Sequence, residues 1–258
     1  MNQYVSGPTL IQARLIAVRE KLIGIFGKDN AVNIQPYTIR AKDQFANGKT
    51  NYTIKLGQDN NKYDNDDTQN LLPKNDAFCP VAMSFGVRKT VLSGTNVLSA
   101  VGRTYTYPED LAFDGAAVGG FTELQDIQGV FGGGKLSWKA DNQEIIYSQL
   151  CSDFLYAPQT QESVLLYPST GSLVDFEAFK LMTKEFILFG RNDNQIILDI
   201  YNSDVQTIAG GTGTSATEIN EPIVILSGYV IRGAGQGLSN IDLAQGALGA
   251  GGKVAFLN

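Results

Sequence analysis

The chain has 258 residues, of which 43% are hydrophobic and only 18% charged, and its formal net charge is −6. That length suits one β-sandwich with long loops and a core large enough to need neither disulfide nor metal staples. The acidic balance, with a pI near 4.7, excludes a global nucleic-acid footprint, and the hydrophobic content excludes a disordered chain.

The first element predicted is an amphipathic helix over residues 8–26. Ser6 is placed to cap it, Pro8 is a favoured first-turn residue, and Gly27 is placed to end it. Ile11, Leu15, Val18, Leu22 and Ile25 recur at four- and three-residue steps and share one face. That face either seats on the domain's own sheet or serves as an assembly interface with a neighbouring subunit. Arg14, Arg19 and Lys21, set against Glu20, make the local positive excess that a membrane or the inner surface of a shell would meet.

After Gly27 the period changes from helical to two. Residues Val32–Asp43 alternate around Ile34, Tyr37, Ile39 and Ala41, with Pro36 marking an edge strand or a bulge. Asn47-Gly48 is a hairpin signal, and Asn51–Gly57 alternates again. Gln58–Asn75 is Asn/Asp-rich and reads as an exposed loop. Strands resume at Phe78–Val91 and Arg103–Tyr107, and Pro108–Gly134 reads as a glycine-rich loop or insertion. Leu136–Ala140 and Glu144–Leu150 flank Asp141-Asn142 as a hairpin. Further strand-like runs lie at Ser163–Tyr167, Leu173–Phe179, Glu185–Phe189 and Gln195–Tyr201, the last two separated by a turn at Gly190–Asn194. A flexible loop at Ile208–Ser215 precedes Pro222–Gly233, a dense apolar run expected of a strand buried on both faces. The Gly/Ala-rich tail reads as an extended arm with one short helix near Asn240–Ala247.

The strand count, between about eight and eleven, predicts an all-β fold. It is an antiparallel β-sandwich or jelly roll, single or compact double, with one N-terminal amphipathic helix. The chain divides into a helical arm at 1–30, the sandwich at 31–235, as one roll or two, and a C-terminal arm at 236–258.

Chemistry is largely excluded. The sequence has no histidine, which removes Ser–His–Asp and Cys–His catalysis, histidine-ligated zinc and the usual neutral-pH proton shuttle. It has no Ser-x-x-Lys either. Cys79 and Cys151 are too few for a Cys₄ site and read as unpaired, buried small hydrophobes. Gly129–Lys135 fits the start of a phosphate-cradling loop, but Leu136 stands where a magnesium-binding hydroxyl is required. The run leads into a strand pattern, where the motif needs a helix N-terminus, so a flexible connector accounts for it better. Asp59–Asp67 lacks the glycine and distal glutamate of an EF-hand. Glu109, Asp110 and Glu177 are carboxylates that nothing singles out for glycoside hydrolysis. Asn51-Tyr52-Thr53 is a chance glycosylation match. Trp138, Tyr105, Tyr107, Phe176 and Phe179 suit core packing better than a sugar platform. No catalytic, cofactor or metal residues are assigned.

The order of features, with the segments Phe186–Asp204 and Pro222–Ala234 as closing strands, resembles the jelly-roll capsid proteins of tailless icosahedral bacteriophages across residues 30–235. The resemblance implies a virion structural protein without enzymatic activity, forming homo-oligomeric capsomers with other virion proteins and meeting an internal lipid membrane in some particles. No signal peptide is visible and no run reaches the length of a membrane span, so assembly in a host cytoplasm is expected. The alternative is a carbohydrate- or receptor-binding sandwich on a virion spike or adhesin.

Overall fold

A computed structural model describes residues 10–26, 33–43, 45, 49–56, 72–73, 75–91, 101–105, 129–140, 143–154, 179–182, 186–189, 194–200, 218–234 and 254–256. Within them lie one long helix, α1 (Leu10–Phe26), two short helical turns (129–133 and Cys151–Phe154) and eleven strands. The strands are β1 (Ile34–Lys42), β2 (Asn51–Leu56), β3 (Ala77–Val91), β4 (Val101–Tyr105), β5 (Lys135–Ala140), β6 (Gln143–Leu150), β7 (Lys180–Leu181), β8 (Phe186–Phe189), β9 (Asn194–Asp199), β10 (Glu218–Ile231) and β11 (Val254–Phe256). The expected all-β sandwich with one N-terminal helix is present.

Two antiparallel sheets make it. The larger runs β1-β10-β3-β8-β11, with β4 and β7 also paired to β3; the smaller runs β2-β9-β5-β6. The pairings β1 with β10, β2 with β9, β3 with β8 and β5 with β6 are nested, like a long ribbon folded back at its middle. The β5–β6 hairpin that the sequence predicts, closed at Ala140 opposite Gln143, lies at that fold point. The Asn47-Gly48 signal has a different outcome. Its flanking strands do not pair with each other: β1 joins the larger sheet and β2 the smaller. The apolar faces of both strands are buried more completely by two facing sheets than by a lone hairpin, so the connection crosses layers.

Between the sheets lies the main core, which includes Phe78, Phe85, Val224 and Leu226 from one side and Tyr52, Ile54, Trp138, Ile196 and Leu198 from the other. Edge-to-face ring pairs knit it: Trp138 on Phe186 at 5.3 Å, Phe85 on Phe131 at 5.5 Å and Phe45 on Tyr52 at 5.2 Å between centroids. On its other face the larger sheet carries a second apolar layer, where Val18, Leu22 and Phe26 of α1 meet Ala77, Cys79, Val81, Ile187, Tyr229 and Ile231. The molecule is thus helix on sheet on sheet. That explains why β10 is apolar at nearly every position from Pro222 on: Ile223, Ile225, Tyr229 and Ile231 face α1, and Val224, Leu226 and Val230 the sandwich core.

In β3 the alternation reverses midway. Ala77, Cys79 and Val81 face the helix, yet so does Ala82, after which Met83, Phe85 and Val87 face the core. The register explains it. Ser227 lies opposite Ala82 but Gly228 opposite Pro80, leaving Val81 as the extra residue of a bulge. Pro80, which has no N–H to give the ladder, sits at the site where a missing donor costs least. The Val81 carbonyl accepts from Met182 N at 2.8 Å. Pro36 is likewise tolerated because β1 is an edge strand.

Two sequence readings change here. The 129–134 stretch is no flexible connector: residues 129–133 form a helical turn that inserts Val130 and Phe131 into the core. Gly134 N closes the turn on Val130 O at 2.9 Å. The tail also contributes β11, a strand where only an arm and a short helix were expected. The readings at Ser163–Tyr167, Ile208–Ser215 and Asn240–Ala247 lie outside the described residues, as do most of Gln58–Asn75 and Pro108–Gly134.

Candidate functional site

The buried polar groups come first, because an unused one would be the best pointer to chemistry. Asp76, 7% exposed, accepts from Arg232 Nη1 at 2.6 Å and from Gly233 N at 2.9 Å. The Arg232 guanidinium also lies over the Tyr37 ring, 5.7 Å from its centroid. This clasp ties the end of β10 to the start of β3. Glu221, 4% exposed, pairs with Lys42 at 3.3 Å across β1 and β10. The Ser84 hydroxyl lies 3.5 Å from the Phe154 carbonyl. All three groups join strands or turns to one another. Among the described residues no group of three metal-ligating side chains forms.

Neither cysteine is in a disulfide, and both are buried. Cys79 faces α1, and Cys151 lies in the main core beside Gly134, whose carbonyl accepts from Cys151 N at 2.8 Å. Burial, helped by the Asp153 carboxylate, pushes the Cys151 thiol well above its ordinary value. Burial raises Tyr37 too, against the Arg232 charge and with the Asp76 charge, and it raises Tyr229 against the Arg19 charge. All three acids are held neutral by the fold. Their contribution to stability is therefore complete below the unfolded pKa values, about 8.5 for Cys and about 10 for Tyr, and is lost as pH rises through the folded ones. Urea titrations from pH 7 to 11 should show constant stability to about pH 8.5 and a fall beyond. In Cys151→Ala the onset should move toward the tyrosine range, and an unchanged onset would show that the thiol is not the group responsible.

The surface set read from α1 divides. Val18 and Leu22 are fully buried on the chain's own sheet, Ile11 is 6% exposed against Ile223 and Ile225, and Leu15 is half-buried. Ile25 is a correction: it is 36% exposed, and Phe26 takes its place in the stripe because it lies four residues from Leu22 on the buried side. Within the monomer, then, the face offered for assembly is occupied by the larger sheet. Arg14, Arg19 and Lys21 do not form one patch. Arg14 and Lys21, seven residues apart, share a flank of the buried stripe, whereas Arg19 lies about 140° round from Arg14 on the other. No helix among the described residues is long and apolar enough to cross a membrane.

What remains for contact is outside. Among the described residues the exposed large apolar side chains are Leu10, Ile16 and Ile25 on α1 and Tyr147 and Leu150 on β6. β6 is an edge of the smaller sheet, interrupted by register shifts near Trp138 and by Ser148 at φ 44°. Bulges of this kind discourage a foreign strand from adding there. On the outer face of that sheet Asn51, Asp199 and Lys135 share one row and Lys55, Gln195 and Lys139 another, and the Asn51 amide donates to Asp199. The possible platform aromatics are otherwise placed: Trp138 is fully buried and Phe179 is 4% exposed, while Tyr107 and Phe176 lie outside the described residues. Sequence reasoning missed β11 and the Asp76–Arg232 clasp, the first because three residues carry no periodicity and the second because its partners are 156 positions apart. No family model, curated protein or solved structure matches the chain.

Proposed function

We propose that this protein is a structural subunit of a virus capsid, a single jelly roll that self-assembles through apolar interfaces and a terminal arm and does no catalysis. The observation that carries the reading is the nested strand order, β1-β10-β3-β8 facing β2-β9-β5-β6. It is the order produced by wrapping one antiparallel ribbon into two Greek keys, an arrangement shared by viral capsid and lectin domains. Support also comes from Asp76, Glu221 and Ser84, each engaged in holding strands or turns together, and from a sequence without histidine. The contact surfaces are then the outer side of α1 at Leu10, Ile16 and Ile25 and the β6 side at Tyr147 and Leu150. The virion is the proposed location.

Light scattering with negative-stain imaging of the purified chain tests this. Closed shells or regular sheets that grow with concentration are the expected result, and Ile16→Glu or Tyr147→Glu should reduce their mass while leaving the far-UV spectrum unchanged. A monomer unchanged by concentration and salt would overturn the shell reading and favour the receptor- or carbohydrate-binding sandwich that shares this topology.

A further inference from the structure

We propose that the outer edge of β8 is a strand-acceptor site which, in an assembly, takes the Val254–Phe256 strand of a second copy of this chain. The inference rests on the assembly reading above and names the contact through which one arm would act.

β8 is short and weakly held on its inner side, where its register with β3 comprises only Ala77 opposite Phe189 and Phe78 opposite Leu188. Its outer side is covered by β11, with Val254 opposite Leu188, Ala255 opposite Ile187 and Phe256 opposite Phe186. The side chains beneath belong to both apolar layers: Phe186 and Leu188 to the sandwich core, Ile187 to the layer under α1. They are 0%, 1% and 2% exposed. An uncovered edge on such a strand would present unpaired N–H and C=O groups beside a core on either face, and a sheet edge of that kind recruits whatever strand it meets. The cover, by contrast, is only three residues long and is joined to Ala234 through residues 235–253. A tether of about 19 residues spans up to roughly 60 Å when extended.

The ladder bonds are the same whichever copy supplies the strand, so effective concentration decides between them. A covalent link of about 19 residues holds its own strand at an effective concentration of millimolar order. Subunits packed side by side in a shell reach a comparable one. Dilute chains therefore close on their own strand, whereas in an assembly a neighbour's strand competes on equal terms, the low-cost route by which identical elements link protomers.

Trapping across the Ala255–Ile187 position tests this, using the full chain with its buried cysteines left in place. A chain bearing both Ile187→Cys and Ala255→Cys should oxidise in dilute solution to a monomer with an internal disulfide, and failure to do so overturns the acceptor edge itself. Two differently tagged chains, one bearing only Ile187→Cys and the other only Ala255→Cys, should give a disulfide-linked heterodimer as the main oxidised product when co-expressed and oxidised in the assembled state. Each chain alone should give none. Absence of the heterodimer in a sample that light scattering shows to be assembled overturns the exchange and leaves the shell reading standing. Its absence from a sample that never assembles overturns both.

Discussion

Gly228→Ala is expected to be the most damaging alanine substitution among the described glycines, costing more than about 3 kcal/mol or abolishing folding. A Cβ built on Gly228 would lie 2.0 Å from the Cys79 carbonyl oxygen, 2.9 Å from its carbon and 3.0 Å from Pro80 Cα. All three are backbone atoms of the strand paired with β10, so no side-chain rotation relieves the clash. Relief requires β3 and β10 to separate at the bulge that switches β3 from one apolar layer to the other. Both layers would feel it, since Cys79 belongs to the helix-side layer and Phe78 to the sandwich core. Gly24→Ala in α1 is the control, because nothing lies within 4 Å of the added Cβ and alanine is the better helix former by up to about 1 kcal/mol. Urea midpoints measured on the two variants should move in opposite directions. A Gly228→Ala chain with a wild-type midpoint would mean that the strands do not approach as described.

Trp138→Ala should cost about 3–5 kcal/mol, the range for emptying a large aromatic site in a packed core. Trp138 is fully buried: it is 0% solvent-exposed, stands edge-to-face on Phe186, and comes from the strand that centres the smaller sheet with β9. Trp138→Phe should cost distinctly less than Trp138→Ala. The indole Nε1 is buried without a hydrogen-bond partner, so replacing the ring by benzene removes an unsatisfied donor along with some volume, and the two effects oppose each other. Chemical denaturation followed by circular dichroism separates the variants. The wild-type chain offers a further check, since this is its only tryptophan and its emission should shift to the red only in the global transition. Equal losses for Phe and Ala would indicate that packing alone sets the cost and that the unpaired donor contributes nothing.

Local pattern determined a good deal about this protein. The four- and three-residue steps from Ile11 to Leu22 predict α1 and its buried face, and the period-two runs predict β1, β2, β3, β5 and β6 to within a few residues. The both-sided burial of β10 is legible because its apolar run lacks polar alternation. The lack of histidine, a property of composition, removes whole classes of chemistry without any structure. Tertiary structure alone decided the rest. Ile34 lies opposite Ile231, and nothing near either residue encodes a partner so far along the chain, because pairing is chosen by which faces can be buried together. For the same reason β1 and β2, on either side of the Asn47-Gly48 signal, lie in different sheets, and β3 changes faces at Val81 although its sequence reads as one uninterrupted strand. Candidate contact surfaces follow this division: the apolar residues of α1 are visible in the sequence, but only the sheet beneath the helix determines that Val18 and Leu22 are covered while Leu10 and Ile16 remain outside.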